Sequence, residues 1–132
     1  MNRYPDDMQL IIPKGCDNAP RKQIVIDFAV AMLKQQNEVI KEYADGSIIW
    51  DNLKESKRIE GQHSFITALQ NENKSLIIDC LEIYQVITHG KFASINGVIS
   101  LANGTRIDFC DVYMFSNTAS SGKVKEIKSY RL

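Results

Sequence analysis

Two aspartates are the residues of this chain best suited to chemistry. Asp111 lies in residues 107–115, where strand alternation puts Ile107, Phe109, Asp111, Tyr113 and Phe115 on one face and Asp108, Cys110, Val112 and Met114 on the other. A carboxylate among large apolar side chains loses hydration, so it either takes up a proton or recruits donors. In the protonated form it can hydrogen-bond a ligand oxygen and stabilise negative charge developing there. Asp51 ends the short strand-like run 47–51, and a partly desolvated carboxylate at a strand end can act as a base toward carbon or water. The competing readings are an Asp111 satisfied by Tyr113, Tyr130 or backbone donors, or facing a subunit interface, and an Asp51 that is a solvated strand-end acid.

Aromatic residues near these acids are the candidate ligand contacts: Phe28 on the first helix, Trp50 beside Asp51, and Phe109 and Tyr113 on the face of Asp111. Each also reads as ordinary core, and Tyr113 additionally carries a hydroxyl that can donate. His89 precedes Gly90 between two strands, a turn position, and His63 begins a helix, so neither is a strong catalytic candidate. The three cysteines, Cys16, Cys80 and Cys110, are widely spaced and form no C-x-x-C pattern, so neither a disulfide framework nor a metal site is expected. No cofactor is expected, since Gly-rich phosphate loops and the common hydrolase and metalloprotease motifs are missing.

These residues need a scaffold, and the totals bound it. With 132 residues the chain is large enough for one domain with a real core and a small pocket. Sixteen basic and sixteen acidic residues cancel, which removes the cationic excess that would favour nucleic acid or an anionic membrane. A neutral, largely apolar small molecule is the better partner. No stretch approaches the roughly 20 apolar residues of a membrane span, and the start lacks a signal-peptide core, so the expected compartment is the cytoplasm.

Residues 1–16 read as an irregular arm rich in Pro and Gly, with a short strand possible over 8–12. Residues 17–132 read as the folded domain. Asp17 or Asn18 can cap a helix with Pro20 in its first turn, where Ile24, Phe28 and Met32 with Val25, Ala29 and Leu33 form an apolar stripe. A short second helix follows over 37–43, then the strand ending at Asp51, a polar stretch over 52–58, and a third helix over 62–70. Four strands over 76–88, 92–101, 106–115 and 124–131 complete the chain, joined near His89-Gly90, Asn103-Gly104 and Ser120-Ser121-Gly122. Helices first and a long meander after, without strand-helix alternation, predict an α+β domain with helices covering one face of a curved sheet.

The order of elements and several strings, among them residues 43–51, 87–91, 109–115 and 127–131, resemble the nuclear transport factor 2-like superfamily, and within it the SnoaL-like subgroup that includes polyketide cyclases and relatives of ketosteroid isomerase. The resemblance implies a cone-shaped roll, three N-terminal helices packed on a curved, mainly antiparallel sheet. It also implies a general base at Asp51 and a protonated oxyanion donor at Asp111, because Asp111-Val112-Tyr113-Met114-Phe115 is similar to the isomerase context. A carboxylic acid kept neutral by an apolar site is the known chemistry of ketosteroid isomerase, and it comes to this chain through the resemblance alone. Two positions depart from the isomerase pattern: Phe28 stands where the family has its oxyanion tyrosine, and Asn52 stands where it has proline.

The resulting expectation is a small-molecule-binding domain, with proton-transfer chemistry of the isomerase, cyclase or dehydratase type and Asp51 and Asp111 as its dyad. The alternative is a non-catalytic module that dimerises or binds a partner through its sheet, as the resemblance also implies, with Tyr84, Val86, Cys110, Val112 and Met114 as the outward apolar surface.

Overall fold

The first helix, α1 (Pro20–Lys34), packs against the two sheet strands that span Ile78–His89 and Phe92–Leu101. Pro20 occupies its first position, where a missing N–H costs nothing because no intrahelical acceptor exists there. The N-cap is Ala19, with no side-chain cap bond; the expected caps Asp17 and Asn18 lie outside the described residues, as does Cys16. The computed structural model describes residues 8–14 and 19–132. Val25, Phe28, Ala29 and Met32 recur at helical spacing and are buried against the sheet. Gln35 closes α1 in the left-handed conformation, φ 55°, and the chain turns into α2 (Asn37–Tyr43), which buries Ile40.

The strand β1 (Gln9–Ile11) precedes α1, and β2 (Ala44–Asn52) follows α2. A turn over 53–56 leads to β3 (Lys57–Glu60), a strand not expected from sequence that begins at the end of the polar stretch over 52–58. Gly61, at φ 94°, opens α3 (Gln62–Asn73), whose buried side is Phe65 and Leu69. The meander follows as β4 (Ile78–His89), β5 (Phe92–Leu101), β6 (Arg106–Phe115) and β7 (Val124–Arg131).

All seven strands form one sheet in the order β1-β4-β5-β6-β7-β2-β3. The pairs β1–β4 and β2–β7 are parallel and the rest antiparallel. The α+β expectation of three helices on a mainly antiparallel sheet therefore holds.

β4 and β5 approach each other closely at an irregularity in their pairing. A Cβ on Gly97 would lie 1.9 Å from the Glu82 carbonyl oxygen, so only glycine permits that approach. The β4–β5 register shifts between Ile83 and Gln85, which reverses the parity of β4. Val86, expected on the outward surface, consequently turns inward and is buried in the core, while Tyr84 stays exposed.

Register also sorts the two faces. One row runs Val86, Ile95, Asp111, Ser129 and Asn52 across five strands, and these side chains are buried on the concave face toward the helices. The adjacent row runs Ile87, Ser94, Val112, Lys128, Asp51 and Arg58 on the convex face. A shift of one residue along a strand moves a side chain from one face to the other.

Candidate functional site

The deep end of the concave face is filled by rings. Phe28 stacks on Phe65 at 6.1 Å between centroids and meets Tyr113 edge-on at 5.9 Å, while Trp50 meets Phe65 edge-on at 5.3 Å. Tyr113 is fully buried, its hydroxyl directed at the Met32 sulfur, 3.9 Å away. Burial raises its phenol well above the ordinary tyrosine value and the nearby Asp111 charge adds to that, so Tyr113 holds its proton as a core residue.

The opposite end is open. A cavity of about 280 Å³ lies between the C-terminal ends of α1 and α3, the end of β2 and the start of β4. Its apolar wall includes Leu33, Leu69, Ile78, Ile99 and Ile107, and its polar groups include Glu72 and Arg131. Asn73 donates to the Met32 carbonyl at 2.8 Å, which fixes the end of α3 to the end of α1 and so holds the mouth at its width.

Arg131 joins this mouth to the buried row. Its Nη1 donates to Asp111 Oδ1 at 2.6 Å and, more weakly, to the Tyr130 carbonyl at 3.4 Å. Among the described residues its Nε and Nη2 have no protein acceptor, and its guanidinium lies 5.4 Å from the centre of the Phe109 ring. Burial pushes the Asp111 carboxyl above the ordinary carboxylate range, and the Arg131 charge and the Arg131 and Ser129 hydrogen bonds pull against it. The space directly in front of Asp111 is about 10 Å³, at most one water, so a ligand in the mouth meets Arg131 before it meets Asp111.

Two further polar contacts complete the cluster. Trp50 Nε1 donates to Ser129 Oγ at 2.9 Å, and Asn52 Nδ2 donates to Glu72 Oε2 at 2.6 Å. Glu72 belongs to an exposed turn of α3 but directs its carboxylate into the mouth, where loss of water raises its pKa against the lowering influence of Arg131. Among the described residues no hydrogen bond or ion pair joins Glu72 to Arg131, and both line the cavity. The mouth thus presents a carboxylate and a guanidinium with space between them.

No protein-family model matches the chain, and no curated protein matches it in sequence. Solved structures do match. A protein from Shewanella denitrificans assigned as a SnoaL-like polyketide cyclase superposes with a TM-score of 0.73 at 12% identity, over 87% of this chain and 92% of its own. An NTF2-like protein of unknown function from Burkholderia xenovorans gives 0.70 at 16% identity, over 89% and 86%. A hypothetical protein with a ketosteroid isomerase-like fold from Catenulispora acidiphila, solved with trimethylamine, gives 0.68 at 9%, over 82% and 84%. The chain has the nuclear transport factor 2-like fold.

Within that fold the residues singled out from sequence separate into groups. Asp111 is buried on the concave face, as its strand pattern requires, but it is bound to Arg131. Asp51 lies on the convex face, 3.6 Å from Arg58 of β3, so it does not share a cavity with Asp111 and the expected dyad is not assembled. Trp50 lines the mouth, and Phe109 borders the small space before Asp111. Phe28 and Tyr113 are packed deep in the nuclear transport factor 2-like core.

Arg131 and Glu72 of the mouth, and Asn52 that bonds Glu72 from behind, are not among the candidates that the sequence offers. Arg131 is the penultimate residue of the chain, Asn52 stands out there only as a departure from the isomerase pattern, and Glu72 lies beyond the expected end of α3. Asn52 carries a usable signal: it sits two residues after Trp50, and strand parity puts the two on one face. Arg131 and Glu72 join the site through tertiary packing alone. Among the described residues no group of His, Cys, Asp and Glu is arranged to hold a metal ion, and no helix is long and apolar enough to cross a membrane.

Proposed function

We propose that this domain binds a small, largely apolar, oxygenated molecule in the mouth cavity, with Arg131 receiving the ligand oxygen. The observation that carries the reading is the placement of Arg131: one nitrogen is fixed from behind by Asp111 at 2.6 Å, while the guanidinium lines a cavity of about 280 Å³ whose remaining wall is mostly aliphatic. A preoriented guanidinium in an apolar setting favours negative charge on a facing oxygen without having to reorganise. Asp111 is then a positioning residue, holding Arg131 in place, and not the proton donor to the ligand.

The same arrangement suits proton transfer beside a carbonyl. With the carbonyl oxygen on Arg131, the Glu72 carboxylate accepts a proton from the adjacent carbon. The C–H electron pair becomes a C=C bond, and the charge left on oxygen faces the guanidinium. Return of the proton at another carbon isomerises the substrate, and loss of a leaving hydroxide dehydrates it. Glu72 takes over here the part that the sequence pattern suggested for Asp51.

Substituted phenols test the binding. Their phenolate forms should quench the fluorescence of Trp50, the only tryptophan, and bind more tightly as the phenol becomes more acidic. The double variant Asp111→Leu/Arg131→Met, which removes both charges together and avoids an orphaned ion, should lose at least tenfold in affinity. Equal binding by a folded double variant would refute the role of Arg131.

A second reading, self-association through the convex face of the sheet, is favoured by exposed apolar side chains there. Ile87 is 56% exposed and Phe92 52%, and Tyr84, Val112 and Tyr130 are exposed on the same face. Sedimentation should show a dimer that Val112→Lys converts to monomer. A wild-type monomer at high micromolar concentration would end this reading.

A further inference from the structure

We infer that the mouth cavity and a larger groove beside it form one bent binding tract for an amphipathic molecule, its apolar body in the mouth and an uncharged, hydroxyl-bearing tail in the groove. This rests on the ligand-binding reading above and names the class of ligand. The groove, about 590 Å³, lies along α3, β3 and the 53–56 turn. Trp50, Glu55 and Glu72 line both spaces, so the two share a wall. The closing piece of that wall is the hydrogen bond from Asn52 to Glu72.

The two halves differ in chemistry. The mouth is walled mainly by aliphatic side chains, whereas α3 turns His63, Ser64, Thr67 and Asn71 toward the groove, residues whose three- and four-residue spacing puts them on one helical face. Lys57 of β3 lies opposite. Among the groups lining the groove, Glu55 and Glu72 exceed Lys57 by one charge, so an anionic tail is disfavoured, and Ser64, Thr67 and Asn71 of α3 face the tail with uncharged polar groups. Ser64, Thr67 and Asn71 offer both donors and acceptors, the pattern that recognises hydroxyls.

The partition is of a kind that such a tail can open. Glu72 sits on an exposed turn of α3, and its carboxylate is held by the single side-chain donor Asn52 among the described residues. A ligand hydroxyl can insert between the two, donating to the Glu72 carboxylate and accepting from Asn52 Nδ2, so neither group goes unpaired when the wall parts. On the other side Asn52 Oδ1 accepts a long 3.4 Å bond from the Glu55 amide, at a turn that ends in Ser56 with φ 54°. Asn52 therefore keeps a partner within the turn when Glu72 moves.

The experiment compares 4-methoxyphenol, which carries the head alone, with 4-hydroxyphenyl β-glucoside, which adds a hydroxylated tail and leaves the phenol free. Titration of Trp50 fluorescence should show the glucoside binding at least tenfold more tightly to the wild-type protein. Thr67→Phe and, independently, Ser64→Phe, both on the groove side of α3, should erase that advantage and leave 4-methoxyphenol affinity unchanged. A glucoside that binds no better than 4-methoxyphenol, or variants that weaken both equally, would overturn the tract while leaving the mouth site standing. Absence of binding by either phenol would instead remove the ligand-binding reading, and the tract with it.

Discussion

Two aspartates on strands of the same sheet each meet an arginine, and the pairs could hardly differ more. Asp111 and Arg131 are 2.6 Å apart with side chains 3% and 17% exposed; Asp51 and Arg58 are 3.6 Å apart with side chains 17% and 56% exposed. The first pair lies on the concave face, with the open mouth in front of its arginine. The second lies in the adjacent row on the convex face, with its arginine exposed and its aspartate half-buried. One step of strand parity therefore decides whether an acid organises a cavity or decorates a surface. An ion pair out of water is costly to break because the surviving charge has no substitute for its partner, whereas solvent replaces a lost surface partner at once.

The largest expected effect follows directly. Arg131→Ala leaves the Asp111 carboxylate buried without its guanidinium and should cost about 3–5 kcal/mol in urea unfolding. Adding Asp111→Leu removes the stranded charge, and the double variant should regain most of that loss. If Arg131→Ala costs no more than about 1 kcal/mol, the concave pair is energetically a surface pair and the contrast collapses.

A smaller effect is expected one position along the same row. Ser129→Ala deprives the buried Trp50 Nε1 of its acceptor and should cost about 1–3 kcal/mol, read as a lowered urea midpoint at constant slope. The tryptophan emission should also shift, because the indole N–H either finds water or stays unsatisfied.

Glu72 tests the mouth itself. Loss of water raises its pKa in the folded protein, so the protonated form is favoured by folding. Its contribution is fully present below the ordinary glutamate value and is lost as pH rises through the raised folded value, since the unfolded chain then releases its proton more readily. The wild-type melting temperature should carry a falling component across that interval, and Glu72→Gln should remove it. A pH profile of the Glu72→Gln protein that runs parallel to wild type would mean that the Glu72 carboxylate loses no water on folding.

Much of this architecture is legible in the sequence. The stripe on α1 and the alternation of β6 announce helices on a sheet and place Asp111, Phe109 and Tyr113 on the core face, because helical and strand periods are local properties of the chain. The mouth is not legible to the same degree. Arg131 reaches Asp111 through the pairing of β6 with β7, and Glu72 reaches Asn52 across 20 residues, relations fixed by register and packing. Val86 is misplaced by simple alternation because a bulge in β4 reverses parity, and the close approach at Gly97 that accompanies it has no signature beyond the glycine itself. Asp51 matches the resemblance in sequence position, yet Trp50 and Asn52 on either side are the residues buried on the concave face.

The smallest expected effect is the sharpest test of that last point. Asp51→Asn keeps the size of the side chain and removes its charge from a long, partly exposed pair with Arg58, so stability should change by less than about 1 kcal/mol. Phenol binding should remain at the wild-type value, because the convex face gives Asp51 no path to the mouth. A loss of binding comparable to that of the Asp111→Leu/Arg131→Met variant would require the β2 register to shift by one residue, which would turn Asp51 inward and expel Trp50 and Asn52 from the core. Such a shift would also break the bond from Trp50 to Ser129, so the tryptophan emission of the Asp51→Asn protein reports on the same question independently.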